Sequence, residues 1–232
     1  MNQDDSVNSS NLESWFEDVG APAKVLEYLT SDSFPLSQYK QKASVLDLGT
    51  GNGSALFSLR QEGGYTGPLV GIDYSDQGIQ LANRLKIHFA NDPEDERHIA
   101  VRDMTFDVFD LIKESPEKMP WWPKDGTGFD LVLDKGTFDA ISLSYDTVPD
   151  VHGAQQHLNQ VYPAKIAAMI KPNGFFLITS CNWTEDEIVR WFTTTKSIQG
   201  VFDVFDKIKY KVFEFGGRKG QGVTSVCFQK RA

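Results

Sequence analysis

The chain has 232 residues, of which 40% are hydrophobic and 24% are charged, which is the composition of an ordinary soluble globular domain. The 32 acidic residues outnumber the 23 basic ones and give a net charge of −9, which disfavours binding to nucleic acid phosphates. Cys181 and Cys227 form no CxxC pair, so we expect neither a metal site nor a disulfide framework.

The first ten residues, MNQDDSVNSS, are polar and acidic, so they predict no signal peptide. We expect residues 1–14 to be disordered and residues 15–232 to form a single domain. No apolar run is long enough to span a bilayer, so we expect no membrane contact. These features favour a cytoplasmic protein, and we expect a monomer.

A loose helical spacing of apolar residues runs from Trp15 to Leu29, and from Ala43 onward short apolar strands alternate with helices. The predicted strands are Ser44–Leu48, Leu69–Asp73, Ile99–Arg102, Phe129–Leu133, Gly174–Ser180, Lys207–Phe215 and Val223–Gln229. The predicted helices are Ser54–Gln61, Asp76–Phe89, Ala154–Ile170 and a segment that begins at the capping box Thr184–Glu187 and runs to about Lys196. This order predicts an α/β, Rossmann-like fold with a mostly parallel seven-stranded sheet, helices on both faces and an antiparallel C-terminal hairpin closed by a glycine-rich loop.

The most informative stretch is VLDLGTGNG, in which an apolar strand leads directly into Gly49, Gly51 and Gly53 before a helix begins. Glycines allow a sharp turn and let a ligand approach the bare main chain, and a helix N-terminus supplies free N–H donors. Asp73 ends the next strand, about twenty residues later, where a carboxylate can hold ribose hydroxyls. The sequence therefore predicts a nucleoside site.

The choice of nucleoside ligand can be narrowed further. A dinucleotide fingerprint, GxGxxG, requires glycine where Ser54 stands, which disfavours an NAD-dependent oxidoreductase. The Asp47 carboxylate could reach a ligand ammonium group, and S-adenosylmethionine carries ammonium, carboxylate and ribose together. We therefore predict this cofactor, with Asp103 accepting from the adenine amino group after the third strand and Met104 donating its backbone N–H to the ring. The predicted cofactor-binding residues are Asp47, Gly49, Thr50, Gly51, Gly53, Asp73, Tyr74, Asp103, Met104 and Asp134.

Other stretches resemble a known family. LDKGTFDAI at residues 133–141, SCNWT at residues 180–184, and the closing FGG and VTSV are similar to the seven-strand class I lysine methyltransferases that modify translation elongation factor 1A. The resemblance covers Trp15 to the end and implies that elongation factor 1A is the substrate and partner of this chain. Family members usually begin with a longer segment, YWDxxY, that helps to cover the cofactor, and only Trp15-Phe16-Glu17 resembles its end here.

Methyl transfer to lysine requires a neutral amine aligned with the methyl group, so the amine must lose its proton through desolvation or neighbouring charges. Asp134, at the end of the fourth strand, is predicted to position the lysine and hold its proton, with a helix cap as the alternative. Phe138 and Trp183 are predicted to wall the lysine channel, with core packing as the alternative. We expect Lys135 to be solvated.

Other functions stay open. Enzymes of this fold that methylate adenine or glutamine carry Asn/Asp-Pro-Pro-Tyr after the fourth strand, and the DKGT sequence here argues against them. A methyltransferase for a small molecule and a non-catalytic module that binds S-adenosylmethionine both remain compatible with the glycine loop.

Overall fold

The computed structural model describes residues 16–91, 101–150, 152–211, 213–215, 218–220 and 222–232. Residues 1–14, for which the sequence predicts disorder, lie outside the described residues. So do Trp15, the first two residues of the predicted strand Ile99–Arg102, and three residues of the glycine-rich C-terminal loop, Gly216, Gly217 and Gln221. In the described part of the chain, no helix is both long and apolar enough to cross a bilayer.

Helices and strands alternate through most of the chain. The helices are α1 (Ala21–Thr30), α2 (Ser54–Gln61), α3 (Asp76–Asn91), α4 (Thr137–Ser142), α5 (Leu158–Met169) and α6 (Glu185–Thr194). The strands are β1 (Val45–Leu48), β2 (Leu69–Asp73), β3 (Thr105–Val108), β4 (Phe129–Lys135), β5 (Thr147–Pro149), β6 (Gln155–His157), β7 (Ile170–Ser180), β8 (Phe202–Ile208), β9 (Phe213–Phe215), β10 (Arg218–Gly220) and β11 (Thr224–Lys230). Short 3-10 helices occupy Pro35–Gln38, Pro116–Lys118 and Lys196–Ile198.

Seven strands form the main sheet in the order β3-β2-β1-β4-β7-β11-β8. The first five pair in parallel, and β11 pairs antiparallel with both β7 and β8. The predicted α/β fold with an antiparallel C-terminal part is therefore confirmed. Because parallel strands end at the same edge, the loops that follow β1, β2, β3 and β4 meet there, which is where ligands bind in such sheets.

Both faces of the sheet are buried under helices, which explains why its central strands are mostly apolar. Side chains alternate between the two faces along each strand. Leu131 and Leu133 of β4 enter one apolar cluster, whereas Val132 enters the other. Phe175 and Phe176 of β7 divide between the same two clusters. The sheet is thus the middle layer between two hydrophobic cores.

The capping box before α6 is confirmed. The Thr184 hydroxyl accepts from the backbone N–H of Glu187 at 3.4 Å, and the Glu187 carboxylate accepts from the Thr184 N–H at 2.9 Å. The helix ends at Thr194, two residues earlier than predicted. The predicted helix Ala154–Ile170 begins later, at Leu158, because its first residues form β6 instead.

Two predicted strands were misplaced. In the described part of Ile99–Arg102 the chain turns, and the third strand is Thr105–Val108. It is an edge strand in which Phe106 is buried and the neighbours are more exposed, so it shows no continuous apolar run. At the C-terminus the partner of β11 is β8, and the predicted strand Lys207–Phe215 is divided between the end of β8 and a separate two-stranded β9–β10 ribbon.

Candidate functional site

A cleft of about 1080 Å³ opens at the carboxyl edge of the sheet. Four loops line one side of it: residues 48–52 after β1, 73–75 after β2, 109–113 after β3 and 135–137 after β4. Residues of α4 and of the segment that leads into β5 line the other side. The cleft therefore lies where the topology places a ligand in an open α/β sheet.

The glycine loop forms the floor of this cleft. Gly49 has φ +61°, and a Cβ atom there would overlap the hydroxyl of Thr137. Gly53 has φ +80°, and a Cβ atom there would lie 2.7 Å from Phe106 Cε1. Side chains rarely adopt such backbone angles, so the loop can pass this close to its neighbours only because these residues are glycines.

Asp73 holds the glycine loop from the neighbouring strand. Its Oδ2 accepts from the Gly51 N–H at 2.8 Å, and its Oδ1 accepts from the Ser75 N–H at 2.8 Å. A carboxylate offers about four acceptor positions, so both oxygens can take a further hydroxyl donor. The structure therefore brings Gly49, Gly51 and Asp73 together, and it places Tyr74 beside them at the rim of the cleft.

Asp47 and Lys135 carry opposite charges on the neighbouring strands β1 and β4. Asp47 is buried and accepts from the Thr50 hydroxyl at 2.7 Å. Burial raises the pKa of Asp47 to about 6, an effect that the Thr50 hydrogen bond and the charge of Lys135 oppose. Burial also lowers the pKa of Lys135, against the attraction of Asp47, Asp134 and Glu17.

A second, smaller cavity of about 100 Å³ lies between α1 and the sheet. Its wall is apolar along α1, with Glu17, Asp47, Ser54 and Lys135 among its polar members. Ser54 and Lys135 line both cavities, so the two spaces meet at these side chains. The sequence suggested a solvated Lys135, but the structure places it between the cavities, two residues beyond the core residue Leu133 on the same face of β4.

The Asp134 carboxylate is engaged at the start of α4. It is 2% exposed and accepts from the Thr137 N–H at 2.8 Å, the Phe138 N–H at 3.1 Å and the Tyr162 hydroxyl at 2.5 Å. Burial raises its pKa to about 7, although the Tyr162 and Thr137 hydrogen bonds act in the opposite direction. Asp134 also contributes to the wall of the smaller cavity, but its oxygens have the geometry of a helix cap.

A family model described as a methyltransferase domain matches residues 39–217. Protein-lysine N-methyltransferase EFM4 of Saccharomyces cerevisiae is 36% identical over 217 residues, covering 94% of this chain and 82% of that protein. EEF1A lysine methyltransferase 2 of Homo sapiens is 33% identical over 218 residues, covering 94% and 76%. The chain belongs to this family of protein-lysine N-methyltransferases.

The same fold occurs in a solved structure at much lower identity. The methyltransferase domain of bacterial CtHen1-C superimposes with a TM-score of 0.59 at 16% identity, covering 93% of this chain and 99% of that one. This similarity supports the Rossmann-like methyltransferase fold described above.

Two stretches that carry the family resemblance, LDKGTFDAI and SCNWT, contact each other through Asp139. Its Oδ1 accepts from the Ser180 hydroxyl at 2.5 Å, and its Oδ2 accepts from the Cys181 N–H at 2.9 Å. Asp139 is buried, so these bonds tie α4 to the end of β7. Sequence reasoning assigned no role to this residue, although it stands within the LDKGTFDAI stretch that carries the family resemblance.

Phe138 of α4 packs against Trp183, which follows β7. Phe138 is fully buried, stacks on Trp183 at 5.7 Å between ring centroids, and contacts the rings of Tyr162 and Phe192. Neither Phe138 nor Trp183 lines the cleft or the smaller cavity. The structure therefore does not bring these two predicted channel residues to the site, and their contacts are those of core packing.

Asp103 and Met104 also lie away from the cleft. They precede β3 instead of following it, because the strand begins three residues later than its predicted end. Asp103 is exposed and pairs with Arg60 at 3.2 Å, while Met104 is buried and its carbonyl accepts from Lys86. The residues that follow β3 and line the cleft are those at 109–113, which the sequence did not indicate.

Proposed function

We propose that this chain is an S-adenosylmethionine-dependent protein-lysine N-methyltransferase that methylates a lysine of translation elongation factor 1A. The observation that carries the proposal is the hydrogen bond from Gly51 to Asp73 on the floor of the large cleft. Similar proteins named EEF1A lysine methyltransferase 2 support the choice of substrate.

The residues around the cleft fit S-adenosylmethionine. The free acceptor positions of Asp73 suit two ribose hydroxyls, and the open space beside Gly51 leaves room for the ligand above the loop. Lys135, at the junction of the cleft and the smaller cavity, suits the carboxylate of its amino acid end, and Asp47, in the wall of the smaller cavity, suits the ammonium group. When bound, this cofactor supplies an electrophilic methyl group on its sulfonium sulfur.

The residues that contact the adenine ring differ from those that the sequence suggested. Asp103 and Met104 lie at the amino end of β3, so we assign the adenine ring to the segment 109–113, which follows that strand. Leu111 and Ile112 give this segment an apolar surface suited to a flat ring, and Asp110 provides carboxylate acceptors beside it.

The substrate lysine must reach the methyl group without its proton. Lys135 shows how the local environment affects an amine. Burial at the junction of the two cavities lowers the pKa of its side chain. A substrate lysine that enters the cleft between the apolar side chains of Ile141 and Val148, across from Lys135, would likewise lose hydration. We therefore assign the loss of its proton chiefly to desolvation.

Asp134 then acts as a positioning residue. Its carboxylate fixes the first N–H groups of α4, and the Thr137 hydroxyl donates to the Leu48 carbonyl at 2.7 Å. These bonds hold the 135–137 loop against the glycine loop. The packing of Phe138 against Trp183 anchors α4 in the core, and neither side chain contacts the substrate lysine in this proposal.

The central test is methyl transfer from labelled S-adenosylmethionine to purified elongation factor 1A, and to a cell extract that lacks this activity. We expect one labelled protein band, elongation factor 1A, with the label on lysine by mass spectrometry. The Asp73→Ala variant should give much less label than the wild type. Absence of S-adenosylmethionine binding to the folded wild-type protein in calorimetry would contradict the proposal.

Two further expectations follow from this function. The proposed substrate takes part in translation, so we infer that the protein acts in the cytoplasm. One chain supplies every loop around the cleft, so we infer that the monomer is active, with no nucleic acid or metal taking part. Sedimentation at assay concentrations, and imaging of the tagged protein in cells, test these two points.

A further inference from the structure

Large exposed side chains gather at the mouth of the cleft. In the described part of the chain, the three most exposed large hydrophobic residues are Tyr145, Tyr74 and Leu143, at 94%, 82% and 71% exposure. Tyr74 lines the cleft, and Leu143 and Tyr145 flank Ser144, which also lines it. Exposed apolar side chains scattered singly are normal, whereas a group around a functional cleft indicates an interaction surface.

Leu143 and Tyr145 belong to a segment with its own internal order. Between α4 and α5 the chain forms the β5–β6 hairpin, which does not pair with the main sheet. Its turn is closed by Asp150, whose Oδ1 accepts from the N–H groups of His152 and Ala154, each at 2.8 Å. Leu143 and Tyr145 lie just before this hairpin, where the Ser144 N–H donates to the Ile141 carbonyl at 3.2 Å and the Asp146 N–H donates to the Ser144 hydroxyl at 3.1 Å. Their backbone is therefore held on both sides, which reduces the loss of conformational freedom on binding.

The charge around the cleft favours a basic partner. Asp73, Asp110 and Asp146 line it together with two basic residues, Lys135 and Lys113, and Lys113 is paired with Asp110 at 3.0 Å. The whole chain carries a net charge of −9. Complementary charge of this kind accelerates the approach of a basic protein surface and orients it, whereas the exposed tyrosines supply contact area.

We propose that Tyr74, Leu143 and Tyr145 form a docking patch that binds the folded surface of the protein substrate around its target lysine. This inference rests on the proposed function and extends it. The patch lies beside the cleft, so a protein bound to it can extend a lysine side chain toward Ile141 and Val148. The occupant is a basic protein surface, and not a second copy of this acidic chain.

The test uses the full-length chain with Leu143→Ala and Tyr145→Ala combined. We expect the KM for elongation factor 1A to rise by about tenfold, with kcat little changed and the affinity for S-adenosylmethionine within about twofold of wild type. The matched control is Tyr39→Ala, which removes a tyrosine that is 65% exposed near the amino end of β1. This control should leave all three quantities unchanged.

Other outcomes separate the two proposals. If the wild type labels a protein other than elongation factor 1A, the proposed substrate is wrong, and the same variants test the patch on that labelled protein. An unchanged KM in the double variant, with cofactor binding intact, overturns the docking patch alone. A wild-type dimer that the double variant loses would assign the patch to a second copy instead. Bound cofactor without labelling of any protein would overturn both proposals.

Discussion

The hydroxyl of Tyr162 on α5 donates to Oδ2 of Asp134 at the end of β4 over 2.5 Å, and both side chains are buried. This bond joins the strand that ends at the cleft to a helix on the outer layer. Because Asp134 also caps α4, the Tyr162–Asp134 pair holds three elements behind the active edge of the sheet.

Removal of the Tyr162 hydroxyl should weaken this arrangement. We expect Tyr162→Phe to lower the free energy of unfolding by about 1–3 kcal/mol, because the buried Asp134 oxygen loses a donor. Urea denaturation followed by circular dichroism measures the change. Tyr39→Phe alters an exposed tyrosine and should have no effect, and equal stability of the two variants would contradict the expectation.

The stability of the protein should depend on pH through Asp134. Burial raises its folded pKa to about 7, whereas an aspartate in an unfolded chain has a pKa of about 3.9. Its contribution to the free energy of unfolding is therefore fully present below pH ~4 and is lost as the pH rises through 7. Asp47, with a folded pKa of about 6, acts in the same direction.

The variant Asp134→Asn removes one of the two buried carboxyl groups, Asp134 and Asp47, whose pKa is raised in the folded state. We expect the fall in unfolding free energy between pH 4 and 7 to become shallower than in wild type, and urea denaturation at each pH measures it. The control Asp32→Asn changes an exposed carboxyl group and should keep the wild-type slope. A wild-type slope in Asp134→Asn would show that this carboxyl group does not carry the effect.

Asp73 and Asp103 should differ sharply in their effect on the cofactor. Asp73→Ala removes the acceptor of the Gly51 and Ser75 N–H groups, so we expect S-adenosylmethionine to bind about a hundredfold more weakly in calorimetry. Asp103→Ala removes an exposed partner of Arg60 outside the cleft and should leave the affinity unchanged. Loss of binding in Asp103→Ala would restore the adenine assignment made from the sequence.

Gly49 can be tested against another glycine with a similar backbone. In Gly49→Ala the new methyl group meets the Thr137 hydroxyl, so we expect loss of cofactor binding and a stability loss well above 1 kcal/mol, the approximate backbone penalty alone. Gly126 has φ +70° with open space around its Cα, so Gly126→Ala should show only that penalty. Thermal unfolding and calorimetry distinguish the two variants, and equal effects would exclude the steric explanation.

The parts of the fold that the sequence predicted are those with a strong local signal. The apolar strand before Gly49 and the Thr184 capping box are set by neighbouring residues, and both occur as predicted. The approach of Asp73 to the glycine loop follows from the order of parallel strands. Such features depend on short-range patterns together with a general rule of topology.

The remaining features depend on contacts distant in sequence. β3 is an edge strand, and Phe106 is buried there because Gly53 and Gly71 leave space for its ring, which no local pattern reveals. The misplaced strand in turn misplaced Asp103. Phe138 was predicted to wall the lysine channel, with core packing as the alternative, and in the structure the short helix α4 turns its ring into the core.

The position of β11 between β7 and β8 has a consequence for how the chain folds. Residues 224–230 are the last strand along the chain, yet they occupy an inner place in the sheet. During synthesis, β8 therefore has no partner until residues 224–230 have emerged, and β7 presents an open edge in the meantime. A stop codon shortly before residue 224 would leave β8 without a partner and β7 with an open, aggregation-prone edge.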